Sequence, residues 1–144
     1  MNKGLDFVGV TIVYFCHNGK GNFVMAKRSK NCRDEIGKWD VGAGALEVED
    51  SVEQTLRKEI MEEYSTEVLS FEFLGFRDVM GHKGNNFSHW LALDFKVLVN
   101  PGQVKIGEPH KFDDLKWFTL ENLLPTQELH SQLPYFLKKY NGKL

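Results

Sequence analysis

Three glutamates lie within five residues of the segment Leu56–Glu67, which reads LRKEIMEEYSTE. On a helix of 3.6 residues per turn, Glu62 falls about 60° to one side of Glu59 and Glu63 about 40° to the other. The three carboxylates therefore share one helix face. An apolar stripe at i, i+4 and i+8 spacing runs beside them and consists of Val52, Leu56 and Ile60. We expect the acids to lie where the core meets solvent.

Such a cluster is unfavourable unless a cation neutralises it. Like charges at i, i+3 and i, i+4 repel by about 0.2–0.5 kcal/mol per pair, and acids in the last turn oppose the helix dipole by about 0.3–1 kcal/mol each. A divalent cation held by the carboxylates reverses both costs, and oxygen ligands suit Mg²⁺, with Mn²⁺ as the alternative. The competing interpretation is a solvated acidic face, in which Lys58 pairs with Glu62 at i, i+4.

Strands must surround this helix. The segments Phe7–Cys16 and Phe23–Arg28 are rich in β-branched and aromatic residues, and the turn sequence HNGKGN between them predicts a β-hairpin. The stretch KWDVGAGALE predicts a short strand that breaks into a glycine-containing turn. A helix is predicted from Ser51 to Tyr64, with Asp50 or Ser51 as its N-cap and Glu53 or Gln54 completing a capping box.

The second half of the chain alternates apolar segments with turn residues. Its predicted elements are strands at Phe71–Met80 and Phe87–Val99, a last short strand in LKWFTL, a helical turn at Leu120–Leu124, and a C-terminal helix that Pro134 interrupts or restarts. Repeats and linker-like tracts are missing. We predict one domain of mixed α and β structure.

Composition excludes several classes of protein. The chain has 144 residues, 42% hydrophobic and 26% charged, with a net charge of -2, which does not point to nucleic acid or an acidic membrane as a partner. The apolar run Phe7–Cys16 is too short for a membrane span, and no cleavage site follows it. Cys16 and Cys32 form neither a disulfide framework nor a metal motif by spacing. We expect a cytoplasmic protein.

The spacing around the acidic helix resembles the Nudix box of the MutT-type pyrophosphohydrolases. From Gly44, five residues lead to Asp50 and seven more to Lys58, which begins the run KEIMEEYST ending at Thr66. The family pattern is Gly, five residues, Glu, seven residues, then Arg-Glu-aliphatic-x-Glu-Glu-x-Gly-aliphatic. The flanking stretches KWDVGAG and EPHKFDDLKWFTLENLLP also resemble the family. The resemblance implies an α/β (α+β) fold, a Nudix-type α/β/α sandwich with a central mixed β-sheet, over residues 1–144.

Three positions depart from the family pattern. Asp50 replaces Glu and Lys58 replaces Arg, so the resemblance implies a supporting ion pair that lacks the bidentate fork of arginine. Ser65 replaces a Gly whose position commonly needs a left-handed backbone. Gly44 is retained as a support of the box, and the three glutamates are intact.

The resemblance also implies roles for individual residues. Nudix enzymes cleave the diphosphate of a nucleoside diphosphate linked to another group, with water attacking phosphorus and Mg²⁺ carrying much of the chemistry. Glu59, Glu62 and Glu63 would bind the metal, with the Ala43 carbonyl as a backbone ligand. Glu59 and Glu62, together with Glu108 in GEPHK, are the candidate catalytic residues. Glu47 and His110 are alternatives near the metal.

The candidate substrate-binding residues lie outside the box. Arg28 resembles a position that often meets a phosphate or sugar, although a surface arginine is the competing interpretation. Trp39 and Phe87 are candidates for stacking on a base, although an aromatic residue beside a sheet is more often part of the core.

These roles predict a small-molecule nucleotide as the partner and leave its base and its second group open. A nucleoside triphosphate is the leading substrate. ADP-ribose or a nucleotide sugar is the first alternative, and a catalytically weakened nucleotide-binding module is the second. An isomerase related to the family would need a reactive cysteine, and neither Cys16 nor Cys32 lies in a matching context. The oligomeric state is left open.

Overall fold

Residues Gly9–His17 form the central strand, β1, of a seven-stranded sheet in the computed structural model, which describes residues 1–144. The other strands, in chain order, are β2 Phe23–Arg28, β3 Trp39–Asp40, β4 Gly42–Ala45, β5 Val68–Lys83, β6 Asn86–Val99 and β7 Phe112–Phe118. The helices are α1 Val52–Tyr64 and α2 Leu133–Lys139, with short 3₁₀ turns at Leu120–Asn122 and Thr126–Glu128.

The sheet is mixed because one of its strand pairs is parallel. Its strands are ordered β3-β2-β1-β6-β5, with β4 paired to β1 and β7 paired to β2. β1 and β6 run parallel from the pair Gly9–Trp90 to the pair His17–Leu98, and the other pairs are antiparallel. The predicted β1–β2 hairpin forms at its turn, where His17 pairs with Phe23. On that side, residues 11–14 of β1 pair with β4.

The core has two layers because β1 is buried on both faces. Ile12, Tyr14 and Cys16 point towards α1, whereas Val13 and Phe15 point towards α2. A strand covered on both sides is apolar at consecutive positions, which accounts for the unbroken hydrophobic run in this part of the sequence. The two helices on opposite faces form the predicted α/β/α sandwich.

Local sequence explains both ends of α1. Ser51 accepts from the Gln54 N–H while the Gln54 side chain accepts from the Ser51 N–H, so the capping box uses the second of the two predicted N-caps. At the other end Ser65 adopts the left-handed conformation, with φ 59°, and donates its N–H to the Met61 carbonyl. Leu56 and Ile60 are fully buried, as the apolar stripe predicts.

The predicted glycine-containing turn after Trp39 was wrong, since Gly42–Ala45 is a strand that pairs with β1. Glycine lets this backbone approach the core closely. A Cβ at Gly42 would overlap the ring of Tyr14, which is fully buried. The glycines are therefore explained by close packing of β4 against Tyr14, which a side chain would prevent, and the chain does not turn at them.

Element ends also differ from the predicted ones. β1 begins at Gly9 rather than Phe7, and β5 begins at Val68 and continues to Lys83. Pro134 lies in the first turn of α2, where its missing N–H costs nothing, so it restarts the helix. Neither helix is long and apolar enough to cross a bilayer.

The left-handed cap at Ser65 predicts a stabilising substitution. Ser65→Gly removes the Cβ penalty at φ 59°, so we expect the free energy of unfolding to rise by about 0.5–1 kcal/mol in urea denaturation. Ser70→Gly, in the extended strand β5, is the matched control and should lower it. Equal destabilisation by both substitutions would contradict this explanation of the cap.

Candidate functional site

The three glutamates of α1 lie at graded depths. Glu63 is 3% exposed, Glu59 is half-buried and Glu62 is exposed. Helix geometry explains the gradient, because Glu63 lies about 40° from Glu59 towards the apolar stripe and Glu62 about 60° away from it. The prediction that all three lie at one border of core and solvent was therefore too coarse. Glu63 lies within the apolar stripe.

Glu63 is held by one hydroxyl and one ammonium group. The Tyr14 hydroxyl donates a hydrogen bond to Glu63 Oε1, and Lys111 Nζ lies 3.9 Å from Glu63 Oε2. Burial raises the pKa of Glu63 to about 8, even though Tyr14 and Lys111 act to lower it. Burial, followed by the charge of Glu62, also raises the pKa of Glu59.

Gly44 and Glu59 are in close contact. A Cβ on Gly44 would lie 2.6 Å from Glu59 Oε2 and would overlap the rest of the carboxyl group. Thr11 Oγ1 donates to the Gly44 carbonyl at 3.3 Å, and Ala43 pairs with Val13 of β1. The box glycine therefore provides space for the Glu59 carboxylate beside the β4 backbone.

A loop docked on the end of α1 brings Glu108 to the glutamates. The N–H groups of Lys105 and Gly107 donate to the carbonyls of Tyr64 (3.0 Å) and Glu63 (2.9 Å). A Cβ at Gly107 would overlap the Glu62 carbonyl oxygen, so only glycine permits this approach. The loop thereby satisfies helix carbonyls that have no partner within the helix.

Glu108 carries an oxygen with no hydrogen-bond partner. Its Oε1 is buried and accepts no hydrogen bond, although Lys111 Nζ lies 3.5 Å away as an ion pair. Lys111 therefore lies between Glu63 and Glu108, and the combined charge of these acids and Glu59 outweighs burial and raises the pKa of its ammonium group. Sequence reasoning missed Lys111. The Glu-x-x-Lys spacing from Glu108 was the signal that could have identified it.

A second loop, also missed, fixes this segment from the other side. Ser29 is 2% exposed, its hydroxyl donates to the His110 carbonyl at 2.6 Å, and its N–H donates to the Lys111 carbonyl at 2.8 Å. Asn31 Nδ2 also donates to the His110 carbonyl, at 2.9 Å. The residues that follow β2 thus fix the backbone that carries Glu108 and Lys111.

The supporting ion pair of the box is formed by the substituted residues. Lys58 Nζ lies 2.7 Å from Asp50 Oδ2, so the loop before α1 is tied to the helix as the resemblance implies. Lys58 does not pair with Glu62 as the solvated-face interpretation required. Glu47, named above as an alternative residue near the metal, forms an ion pair with Lys3 at 2.7 Å.

The candidate substrate residues have different surroundings. Arg28 of β2 is in register with Phe112 of β7, the residue that follows Lys111 in sequence. The Arg28 Nη2 atom forms an ion pair with Asp34 Oδ1 at 2.8 Å. Trp39 is 6% exposed and packs edge-on against Phe118, so little of its ring surface is free to stack on a base.

Phe87 is exposed but distant along the sheet. It lies six residues before Leu93 on β6, and both Leu93 and Gly44 are neighbours of Ile12 on β1. At about 3.3 Å per residue this separation is roughly 20 Å. The structure brings Arg28 to the edge of the site and leaves Phe87 away from it. The binding roles of Arg28, Trp39 and Phe87 stay predictions.

The donors at the site fit a hard divalent cation in chemistry. They are carboxylate and carbonyl oxygens, among them Glu108 Oε1, which is buried and accepts no hydrogen bond. Gly44 leaves the space in which the Glu59 carboxylate lies. The side chains do not converge into a three-residue ligand cluster, because Glu63 turns inwards to Tyr14 and Glu62 outwards to solvent. The ligand roles of Glu59, Glu62, Glu63 and Ala43 stay predictions.

The contact between Gly44 and Glu59 predicts the effect of one methyl group. In Gly44→Ala the added Cβ displaces the Glu59 carboxylate, so we expect Mn²⁺ affinity, followed by paramagnetic resonance, to fall at least about tenfold. Gly81→Ala is the matched control, because nothing lies within 4 Å of its added Cβ. Unchanged Mn²⁺ affinity in Gly44→Ala would remove Glu59 from the ligand set.

The raised pKa of Glu63 predicts how stability depends on pH. The folded protein holds this proton more tightly than the unfolded chain, whose pKa is near 4.5. The stabilisation is therefore complete below pH 4.5 and is lost as pH rises towards 8, by up to roughly 3–5 kcal/mol.

Urea denaturation in chelator-containing buffers from acid to mildly alkaline pH measures this loss. Glu63→Gln should flatten the fall in unfolding free energy, whereas Glu72→Gln, at an exposed position of β5, should leave it in place. Parallel profiles for the wild type and Glu63→Gln would show that Glu63 titrates at its ordinary pKa.

A family model described as the NUDIX domain matches residues 7–140. The MutT NUDIX hydrolase from Burkholderia pseudomallei superposes with a TM-score of 0.78 at 22% identity, covering 91% of this chain and 96% of that chain. The NUDIX domain of NrtR from Shewanella oneidensis, complexed with ADP ribose, superposes with a TM-score of 0.72 at 16% identity, covering 99% and 90%. At sequence identities of 22% and 16%, the structural similarity shows that this chain shares the fold of these proteins.

Curated relatives include the NAD-capped RNA hydrolase NudC of Pseudomonas aeruginosa (strain LESB58), 28% identical over 121 residues, with 84% of this chain and 40% of that protein covered. NudC of Stutzerimonas stutzeri (strain A1501) is 26% identical, with 84% and 41% covered. The chain thus spans about 40% of the length of these relatives. Since the family model covers almost the whole chain and the fold agrees with it, the chain belongs to the Nudix hydrolase family.

Proposed function

We propose that the protein is a Mg²⁺-dependent pyrophosphohydrolase that cleaves the diphosphate of a nucleoside diphosphate linked to another group. The observation that carries the proposal is that the loop docked on the end of α1 brings Glu108 to Lys111, which also lies 3.9 Å from Glu63. A helix of acids alone could be a solvated face. An acid delivered from a distant segment, with a buried oxygen that accepts no hydrogen bond, supports a catalytic role instead.

The residues of the site have separate roles in the proposed reaction. Glu59, Glu62 and Glu63, with the Ala43 carbonyl, would hold Mg²⁺, or Mn²⁺ in its place. When bound, the metal neutralises the phosphate oxygens and lowers the pKa of a coordinated water. Gly44 and the Asp50–Lys58 pair hold the box in position.

Glu108 is the candidate general base in this scheme. Its Oε1 accepts no hydrogen bond, although it is ion-paired with Lys111 at 3.5 Å, and we assign it as the oxygen that accepts a proton from the water that attacks phosphorus. Lys111 lies next to it, and its ammonium group can bind an oxygen of the diphosphate. Arg28, in register with Phe112, supplies a second cation at the edge of the site.

A nucleoside triphosphate is the substrate that the sequence resemblance favours. The likeness to NudC favours a second candidate, a dinucleotide of the NAD type, either free or at the end of an RNA. The net charge of -2 gives no general attraction to RNA, so the free nucleotide is preferred. ADP-ribose and nucleotide sugars remain alternatives, as does a nucleotide-binding module that has lost catalysis. We also propose a cytoplasmic location, in keeping with the two free cysteines.

A substrate panel with Mg²⁺ tests the proposal. It compares nucleoside triphosphates, NAD, NAD-capped RNA, ADP-ribose, nucleotide sugars and dinucleoside polyphosphates, with each product identified. Hydrolysis should occur at a phosphoanhydride bond and disappear in Glu62→Gln. We expect Glu108→Gln to lower kcat by about 10²–10⁴-fold.

Glu67→Gln is the matched control, because Glu67 is an exposed acid just beyond α1. Its activity should equal that of the wild type. Nucleotide binding without turnover, retained in Glu62→Gln, would replace the enzyme with the binding module. Turnover that survives in Glu62→Gln would refute the assigned role of the acidic helix.

A further inference from the structure

Five large apolar side chains on the β5–β6 hairpin are exposed to solvent. We refer to Phe71, Phe73, Phe76, Met80 and Phe87 as the aromatic face. Their exposures are 37%, 56%, 55%, 63% and 71% respectively. The cross-strand register pairs them with Val97, Phe95, Leu93, His89 and His82. Val97 and Phe95 belong to the core layer beneath α1, so the aromatic face lies on the α1 side of the sheet.

This face is exposed because α1 does not extend over it. The helix packs on β4 and β1, whereas β5 is the terminal strand of the sheet and β6 separates it from β1. The hairpin also continues past the start of β1, since Gly9 pairs with Trp90 and residues 80–89 lie beyond that pair. Arg57 lies over the Phe71 ring at 5.8 Å and Lys139 over the Phe76 ring at 5.4 Å, but these rings still have exposures of 37% and 55%.

The size of the aromatic face is that of an interface. A fully exposed aromatic side chain presents roughly 150–250 Å², so the exposed parts of the five residues amount to about 500 Å² of apolar surface. Patches of about 300–600 Å² are the largest found on typical monomers. Two such faces in contact would bury roughly 1,000 Å², which reaches the lower limit for a specific interface before any polar rim is added.

The backbone edge of β5 is less available than its face. Arg57 Nη1 donates to the Val68 carbonyl at 3.2 Å, and the Lys139 ammonium group donates to the Phe76 carbonyl. Basic side chains that occupy edge carbonyls oppose the addition of another strand. A partner would therefore meet the side chains of this hairpin rather than extend its sheet.

The charge pattern favours a partner with the same kind of face. The one acid on this side of the hairpin is Asp78, and it pairs with His89 at 2.9 Å. Of the two cations beside the face, Arg57 over Phe71 pairs with Glu53, and Lys139 over Phe76 donates to the Phe76 carbonyl. Because the acid and both cations already have partners, the face offers little charge for a strongly acidic or basic partner to match. A two-fold axis would bury both copies of the face at once and leave neither exposed.

We propose that two copies of this chain associate through their aromatic faces, hairpin against hairpin, about a two-fold axis. Phe73, Phe76 and Met80 form the centre of the contact, and Phe87 extends it to the hairpin tip. Phe87 then has a role in assembly, in agreement with its distance of roughly 20 Å from Gly44 along the sheet. The proposal does not depend on which substrate the protein hydrolyses.

Sedimentation velocity over a wide range of protein concentration tests the dimer. The wild-type protein should sediment with twice the mass of one chain at high concentration and dissociate on dilution. Phe73→Glu and Met80→Glu should each sediment as a monomer over the whole range, because a buried glutamate in each copy would oppose its symmetry mate. A wild-type protein that is monomeric at every concentration would overturn the proposal.

Ile36→Glu is the matched control, since Ile36 lies in the loop between β2 and β3 with 56% exposure, equal to that of Phe73. It should remain dimeric. Phe87→Glu is a second test at the hairpin tip, outside both core layers, and decides the outcome if Phe73→Glu fails to fold. Dimers that persist in both Met80→Glu and Phe87→Glu would place the interface on another surface and refute the proposal.

Discussion

The last turn of α1 ends in carbonyl groups that the helix itself leaves without partners, and the candidate site depends on how they are satisfied. Ser65 supplies one N–H from its left-handed cap. Lys105 and Gly107 supply two more from a segment some forty residues further along the chain. That backbone pairing places Glu108 and Lys111 beside Glu63. A structural requirement of every helix end therefore also assembles the chemistry.

The electrostatics of the site follow from this arrangement. The helix places Glu63 in its own apolar stripe, where desolvation opposes ionisation and raises its pKa. Tyr14 and Lys111 partly compensate by hydrogen bonding and charge. Several acids share a confined region with one ammonium group, so their carboxylates repel one another. Binding of a cation or of a phosphate would change the balance of charge in this region. Such an arrangement of charges suits a reaction in which negative charge develops on a phosphoryl group.

The two faces of the sheet serve different purposes. The α2 face is closed by an aromatic layer that includes Phe15, Phe23 and Phe136. On the α1 face the helix covers only the central strands, where its acids meet the β4 backbone. The outer hairpin is left with its aromatic residues exposed. The candidate catalytic site and the proposed association surface thus occupy adjacent parts of one face, the first beneath α1 and the second on the hairpin that α1 leaves open.

Local sequence patterns were sufficient to predict much of the secondary structure of this protein. The strand segments, the helix with its capping box and the spacing of the Nudix box could all be read from the chain, because each depends on residues close in sequence. The Asp50–Lys58 pair was implied by the resemblance to the family, because both replacements keep the charge signs of the family pair. The strand at Gly42–Ala45 was mistaken for a turn, because glycines that permit close packing look the same in sequence as glycines that permit a bend.

Contacts between distant segments needed the tertiary structure. The roles of Ser29, Gly107 and Lys111 arise from hydrogen bonds and ion pairs across long stretches of chain, which no local periodicity encodes. The burial of Glu63 and the exposure of Phe87 likewise depend on which strands a helix covers. Most elements and the family could be inferred from the sequence because they rest on local spacing, although the strand at Gly42–Ala45 could not. The charges that meet and the apolar faces that stay open depend on the packing of the whole chain, so they required the folded structure.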